Sequence, residues 1–232
     1  MKYFGSGLSE LHKELSSVIY DRSKWNDARR LFLDLHSKLH LASASDTGAN
    51  EVDELIGDLT PGEYRVMATS KDETIAWVIW HISRIEDLTM NILVAESDQL
   101  FDDKWRASLD ASISDTGNAL NDGEIMELSR RVNIENLLKY RNAVGRKTRE
   151  IVASLSADDM RRNVSARGLD IIRRTGGVTD QPESLWLLDY WGKKDVAGLL
   201  LMPPTRHLIM HLNDCGKWKQ QIRSGKKCYL TV

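Results

Sequence analysis

Apolar side chains recur at every third or fourth position in four long segments of the chain. In the first of these, Leu31, Leu35 and Leu39 are each one helical turn apart, and this spacing places side chains on one face of an α-helix. The most apolar segment, IAWVIWHISRI, begins at Ile75 and is predicted to be central. The pattern predicts long helices at about residues 23–44, 72–96, 133–155 and 204–224.

Residues typical of helix ends support these limits. Ser23 is a suitable N-cap for the first long helix, and Asp72 or Thr74 for the second. The two prolines after Met202 suit the first turn of the last helix. That helix is predicted to end near Gly225, since glycine readily ends helices.

The connections between these helices have very unequal lengths. Residues 97–132 and 156–203 are much longer than loops between packed helices, so we expect them to cover one end of a bundle, with one short helix in the first. Residues 6–20 predict a further helix. We therefore predict an all-α fold: a four-helix bundle with an additional N-terminal helix and long helical or irregular crossover connections, in a single domain over residues 1–232.

Composition and charge argue against several classes of protein. The net charge is −2 and the paired arginines are scattered, whereas a nucleic-acid-binding protein needs a concentrated basic face. No apolar run approaches the ~18 residues needed to cross a bilayer, and the N-terminus lacks the apolar stretch of a signal peptide. The two cysteines, Cys215 and Cys228, do not form a disulfide framework, which favours a reduced, cytoplasmic location.

Two pairs of histidines have a spacing that can bind a metal ion. His207 and His211 are four residues apart, as are His36 and His40, so each pair is predicted to share a helix face. Two imidazoles so placed can hold one ion, although neither pair has the glutamate of the zinc-protease motif after its first histidine. The spacing alone equally suits histidines bonded to backbone or water.

His81 strengthens the case for a metal site. It lies within the most apolar predicted helix, directly after Trp80, where a buried imidazole needs a polar partner. That partner is either a hydrogen-bonding group or a metal ion shared with other histidines. Three neutral imidazoles with one open position would form a site of the catalytic type.

The segments that carry these histidines resemble the DinB-like superfamily. They are TIAWVIWHISRIEDLTMNILVA and LMPPTRHLIMHLNDCGKWKQQIR, with LFDDKW and YRNAVGRKTREIVASLSADDM between them. The superfamily includes mycothiol-dependent maleylpyruvate isomerase and the bacillithiol transferases, and the resemblance covers most of residues 25–224. It implies a divalent metal ion held by His81, His207 and His211 near one end of a four-helix bundle, with coordination left open.

This chain departs from the family at two points that bear on its substrate. Asn213 and Asp214 follow the histidine pair, where the family often has Gly-Gln. The chain also has extra N-terminal and mid-chain segments compared with the compact members.

Several other side chains are candidates for the surroundings of the metal. His36 and His40 are predicted to line the pocket, where they transfer protons or orient substrate, or to be solvated. Asp214 is an orienting acceptor, a fourth ligand or an exposed helix acid. Trp77 is predicted to be a core residue or a pocket wall, and Cys215 a soft ligand or a small buried residue.

Two acids follow His81 on the same predicted helix. Glu86 and Asp87 point away from His81 by roughly 120–140° on a helical wheel. We therefore predict that they lie at the helix surface or pair with another helix, with Arg84 or Arg206 as partners.

From these residues and the resemblance we expect a divalent-metal-dependent enzyme. Its three-histidine site would activate a small thiol or water toward a small electrophile, as a thiol transferase, isomerase or hydrolase does. Zinc or nickel is the first choice of metal, with iron and copper as alternatives. The expected partners are a small-molecule substrate, such as a low-molecular-weight thiol, and a second copy of the chain in a homodimer, with no nucleic acid or membrane. The alternative is a non-catalytic, metal-binding stress-response protein with a structural metal.

Overall fold

The chain folds into α-helices that surround one long apolar helix. A computed structural model describes residues 4–231. Within them, the α-helices in chain order are α1 Leu8–Val18, α2 Trp25–Ser37, α3 Glu51–Ile56, α4 Ile75–Asp87, α5 Asp103–Leu109, α6 Asp122–Arg131, α7 Ile134–Ser154, α8 Ala166–Arg174, α9 Pro182–Gly192, α10 Val196–Leu200 and α11 His207–Arg223. In this part of the chain, β-structure is limited to isolated bridges such as Met67–Thr74. The predicted all-α fold is confirmed.

Helices α2, α4, α7 and α11 correspond to the four long predicted helices. α4 packs against α7 and α11, and α2 packs against α7. α1, the predicted additional helix, packs along α2. The buried apolar side chains form one connected cluster.

α4 is the central helix, and it is buried on every side. All its residues are buried, so it has no solvent-facing stripe. Thr74 caps its first turn, where the hydroxyl oxygen accepts a 3.0 Å hydrogen bond from the backbone N–H of Trp77. Past Asp87 the chain continues as a π-helix, Leu88–Val94. Because α4 is buried, its polar residues lie inside the molecule and need buried partners.

The first long helix begins close to the predicted residue, with a different cap, and ends earlier than predicted. A 3₁₀ turn capped by Asp21, not Ser23, precedes α2. At the other end the helix stops at Ser37, because the amide group of Asn50 donates hydrogen bonds to the carbonyl oxygens of Ser37 and His40. Leu39 nevertheless stays fully buried, so the apolar spacing continues through a turn that is no longer helical.

The long connections contain more helix than predicted. Residues 97–132 form two helices rather than one: Asp102 caps α5, and Asn121 caps α6 in a capping box with Glu124. The Pro-Pro pair lies in a π-helical turn, Met202–Arg206, which precedes α11. α11 ends at Arg223, close to Gly225 as predicted.

Two findings bear on the chemistry of the whole chain. Cys215 and Cys228 are both free thiols. Among the described residues, none of the helices combines the length and the apolar character needed to cross a bilayer.

Candidate metal centre

Three histidine rings meet between α4 and α11. His81 lies in the middle of α4, and His207 and His211 lie in the first two turns of α11. The ring centroid of His81 is 5.0 Å from that of His207 and 4.9 Å from that of His211, and the latter two are 4.5 Å apart. One ring nitrogen from each lies within 4.8 Å of the others. The three histidines singled out from the sequence are thus brought together.

The ring of His81 is fixed by its neighbours. Its Nδ1 donates a 2.9 Å hydrogen bond to the backbone carbonyl of Thr116, so its Nε2 carries the lone pair. Nε2 faces Nε2 of His207 at 3.1 Å. Trp77, one turn earlier on α4, stacks on His81 with ring centroids 4.5 Å apart and planes only 10° apart. These contacts hold one lone pair toward the other two histidines.

A glycine in the loop before α6 allows this arrangement. Gly117 accepts a 3.1 Å hydrogen bond from the indole N–H of Trp77 through its carbonyl oxygen. Its φ is +77°, and a Cβ atom there would lie 2.8 Å from Nε1 of Trp77. Any other residue would suffer both backbone strain and a clash. The loop can therefore approach Trp77 and His81 only because position 117 has no side chain.

A widened helical turn leads into the histidine pair. The π-turn Met202–Arg206 ends directly before His207, and the hydroxyl of Thr205 within it donates to the carbonyl of Leu200 at 2.8 Å. π-Helical turns are rare and occur often at functional sites. Here the turn sets where α11 begins, and so sets the direction of both imidazoles.

The three imidazoles are neutral at pH 7. Burial is the main cause in each case, since it disfavours the charged form. It lowers the pKa of His81 to about 3, with the nearby His211 adding to the effect. The pKa of His211 is lowered to about 4, with Asp214 acting in the opposite direction. The pKa of His207 is lowered well below its usual value by burial and by the other two rings.

This donor set suits a divalent metal ion. The ring planes cross at 58°, 66° and 81°, so lone pairs on the three rings can converge. The 3.1 Å between the Nε2 atoms of His81 and His207 is close to the ~3–3.5 Å that separates two ligands of one tetrahedral ion with bonds of ~2 Å. Two ring nitrogens at this distance share either a proton or a cation. The residues therefore fit a metal ion.

A cavity of about 170 Å³ opens beside His81 and His207. We call it the aromatic pocket. Its remaining lining residues come from α4, the loop before α6, α9 and the π-turn, and are Ile85, Asn118, Trp186, Leu187, Tyr190, Met202 and Pro203. The sequence pattern did not reveal this pocket, because nothing in it shows that α9 lies over the histidines.

Comparison with known proteins identifies the family of the chain. The family model of the DinB superfamily matches residues 45–214, well over half of the chain. The chain belongs to the DinB superfamily. The match includes all three histidines of the site. No curated protein matches the sequence.

The other candidates occupy different places in this DinB-superfamily chain. Trp77 lies directly against the site: it stacks on His81, and its ring centroid is 6.2 Å from that of His211. Asp214 is 42% exposed and forms a 2.8 Å ion pair with Lys217 on α11, the arrangement of an ordinary helix acid. Cys215 is fully buried, and burial raises the pKa of its thiol.

His36 and His40 belong to a second cluster that the sequence did not reveal. Both side chains are fully buried, which excludes the solvated alternative. Each donates a 3.0 Å hydrogen bond from Nε2 to Glu86, one to each carboxylate oxygen. The hydroxyl of Thr148 donates to the same carboxylate at 2.6 Å. We call these four residues the Glu86 cluster; they join α2 and the turn after it to α4 and α7.

Of the two alternatives for Glu86, the surface position is therefore wrong, and pairing with another helix is confirmed by His36 on α2. α4 is buried on all sides, so a residue that points away from His81 still points into protein. The predicted partners are also wrong for Glu86, since histidines rather than Arg84 or Arg206 bind it. For Asp87 the partner Arg84 is confirmed, with a 3.0 Å ion pair inside the core.

The Glu86 cluster differs from the metal centre in its ring geometry. Its three ionisable side chains are close enough to hold an ion, but His36 and His40 are stacked, with centroids 4.2 Å apart and planes 24° apart. In stacked rings the two Nε2 atoms point in the same direction, so each can donate to a different oxygen of one carboxylate. Their lone pairs do not converge on a single ion. Burial raises the pKa of Glu86, but its histidine partners outweigh this and hold it well below its usual value.

Proposed function

We propose that this member of the DinB superfamily is a divalent-metal-dependent enzyme, with His81, His207 and His211 as the metal ligands. The observation that supports this most is that the convergent imidazoles adjoin the aromatic pocket, which His81 and His207 also line. A purely structural site is usually closed by four protein ligands, whereas a catalytic site has three and adjoins a space for substrate.

The side chains around a bound ion would orient the reacting groups and limit the access of water. A divalent ion, when bound, lowers the pKa of a thiol or water and polarises a carbonyl. Because the three imidazoles are neutral, they do not offset the positive charge that stabilises an anionic nucleophile. Thr116 and Trp77 keep His81 oriented, and the apolar walls of the pocket limit the access of bulk water.

The reaction we propose is the attack of a small thiol, or of water, on a small electrophile. Thiol transfer, isomerisation and hydrolysis all use this activation. Zinc or nickel is the first choice of metal, and iron and copper are alternatives, because imidazole ligands suit all four. We also propose a homodimer, which a light-scattering measurement of molar mass would test.

The metal assignment is tested by metal content. We would purify the wild type, His207→Ala, His211→Ala and, as a matched control, His12→Ala, load each with zinc, dialyse and measure zinc per chain. His12 is suitable because its Nε2 bonds to the carbonyl oxygen of Leu201, apart from the three rings. We expect about one equivalent in the wild type and the control and a large loss in the other two. Equal zinc in all four proteins would contradict the assignment.

A chelator experiment separates the enzyme from a protein with a structural metal. A structural ion contributes its binding energy to folding, so its removal should lower the melting temperature strongly. For a catalytic site we expect a small shift together with loss of thiol conjugation to a chromogenic aryl halide. Large destabilisation without any such activity would favour the structural alternative.

A further inference from the structure

We propose that the aromatic pocket receives one uncharged group of about the size of a benzene ring, and that it selects against small anionic substrates. The orientation of that group, with its reacting atom toward the imidazoles, rests on the proposed function. The selectivity rests on the pocket alone.

The size of the pocket sets the size of the group. An apolar cavity of about 150 Å³ holds one benzene molecule, and the aromatic pocket measures about 170 Å³. One six-membered ring fits, with little space left for substituents. A two-ring group would have to extend past Trp186, which is 48% exposed.

The lining of the pocket sets its charge preference. No lysine, arginine, aspartate or glutamate is among the described residues that line it. The ammonium of Lys194 lies outside this lining, 4.6 Å from the ring centroid of Tyr190. A carboxylate placed there would lose its hydration without gaining a cationic partner, which costs several kcal/mol or more in an apolar setting. A divalent ion on the histidines would attract an anion placed close to it, so the preference concerns a negative charge at the end of the pocket formed by α9. Substrates with a second negative charge are therefore disfavoured.

The aromatic side chains of α9 provide a surface on which a ring can stack. Trp186 and Tyr190 lie edge to face, with centroids 5.7 Å apart and planes 63° apart. The indole N–H of Trp186 already donates to the carbonyl of Glu183 at 3.0 Å. Its exposed surface is thus apolar, and aromatic pairs gain about 0.5–1.5 kcal/mol beyond area burial.

One polar group fixes the orientation of the ligand. Oδ1 of Asn118 accepts a 2.7 Å hydrogen bond from the hydroxyl of Thr116, which leaves the amide N–H groups of Asn118 as donors. They suit a neutral acceptor on the ring or beside it, such as a carbonyl or ether oxygen. A neutral aromatic compound with one such acceptor matches the pocket best.

Two thiols test the selectivity on the full-length, zinc-loaded chain. Phenylmethanethiol and mercaptoacetate share the CH₂–SH group and differ only in carrying a phenyl ring or a carboxylate. We would measure the Kd of each by calorimetry. A third ligand, benzyl alcohol, would be titrated into the metal-free chain by ligand-observed NMR, so that one measurement does not depend on metal. The variant is Trp186→Ala, and Tyr229→Ala is the control, because Tyr229 is similarly exposed, at 50%, and does not line the pocket.

We expect phenylmethanethiol to bind at least tenfold more tightly than mercaptoacetate. Trp186→Ala should weaken phenylmethanethiol and benzyl alcohol about fivefold without changing the zinc content, and Tyr229→Ala should change neither. Equal or tighter binding of mercaptoacetate, or an unchanged affinity for benzyl alcohol in Trp186→Ala, would overturn the inference. If the chain fails to bind zinc but binds benzyl alcohol in a Trp186-dependent manner, the proposed function fails and the pocket assignment stands.

Discussion

Truncation of Glu86 to alanine should destabilise the protein by about 3–5 kcal/mol. The carboxylate accepts hydrogen bonds from His36, His40 and Thr148, and all of these side chains are buried. Alanine leaves three donors without an acceptor, at about 1–3 kcal/mol for each buried unpaired group. Summed over three donors that can partly relax, the lower part of this range gives about 3–5 kcal/mol, which we take as the expected loss. Glu86→Gln keeps the shape and one acceptor oxygen, so its loss should be smaller.

The measurement is urea unfolding, monitored by circular dichroism, of the wild type and the variants with a chelator present, and of the wild type also without it. The chelator removes any contribution from bound metal at either histidine cluster. Glu127→Ala is the matched control, because Glu127 pairs with Arg130 at the surface of α6. Exposed ion pairs contribute about 0–1 kcal/mol, so the control should unfold close to the wild type.

Two results would refute this reasoning. A loss below about 1 kcal/mol for Glu86→Ala would mean that the buried donors find other partners. A chelator that destabilises the wild type as much as the substitution does, but leaves Glu86→Ala unchanged, would mean that an ion, rather than hydrogen bonds, holds the cluster together.

Three further predictions follow from buried groups. Burial lowers the pKa of His40 from 6.5 to about 3, so below pH 6.5 the unfolded chain binds a proton that the folded chain does not. The free energy of unfolding should therefore fall by about 1.4 kcal/mol per pH unit between pH 6 and pH 4. Equal urea midpoints at pH 7 and 5 in metal-free protein would contradict this. Gly145→Ala should destabilise the chain by about 1–3 kcal/mol, because the new Cβ would lie 2.5 Å from Nδ1 of His40. This loss should exceed the gain of ~1 kcal/mol in helix propensity. A raised melting temperature would contradict the prediction and show that the ring can move. Iodoacetamide should label Cys228 in the native protein and Cys215 only after unfolding, since Cys215 is fully buried. Mass spectrometry of the native protein would contradict this if both cysteines were labelled at equal rates.

The main helices were predictable because apolar spacing reflects burial. α7 and α11 match the predicted segments closely, and Thr74 caps α4 as one of two suggested residues. The prediction failed after Ser37, where apolar residues continue into a turn. Apolar spacing records which side chains are buried, but not whether the backbone between them stays helical. The end of α2 depends on Asn50, a residue thirteen positions further along the chain whose contact with Ser37 no local pattern reveals.

The site was predictable in part for a related reason. Residues four apart on a helix necessarily lie together, and the resemblance to a family linked His81 to the pair on α11. For Glu86 the sequence left the surface and a pairing with another helix open. The polar residues Arg84, Glu86 and Asp87 at the end of α4 do not reveal that all of them are buried, because this depends on the helices packed around α4. The contribution of α9 to the pocket depends on tertiary packing, which the sequence of Trp186 and its neighbours does not encode locally.

The position of α9 has a consequence for how new activities could be engineered. The helix forms a wall of the aromatic pocket but provides none of the three imidazoles. The residues of α9 that line the pocket and the three histidines proposed as metal ligands are thus encoded by different stretches of the gene. A library randomised at codons 186 and 190 would sample altered ligand preferences while every clone retained the same coordinating residues.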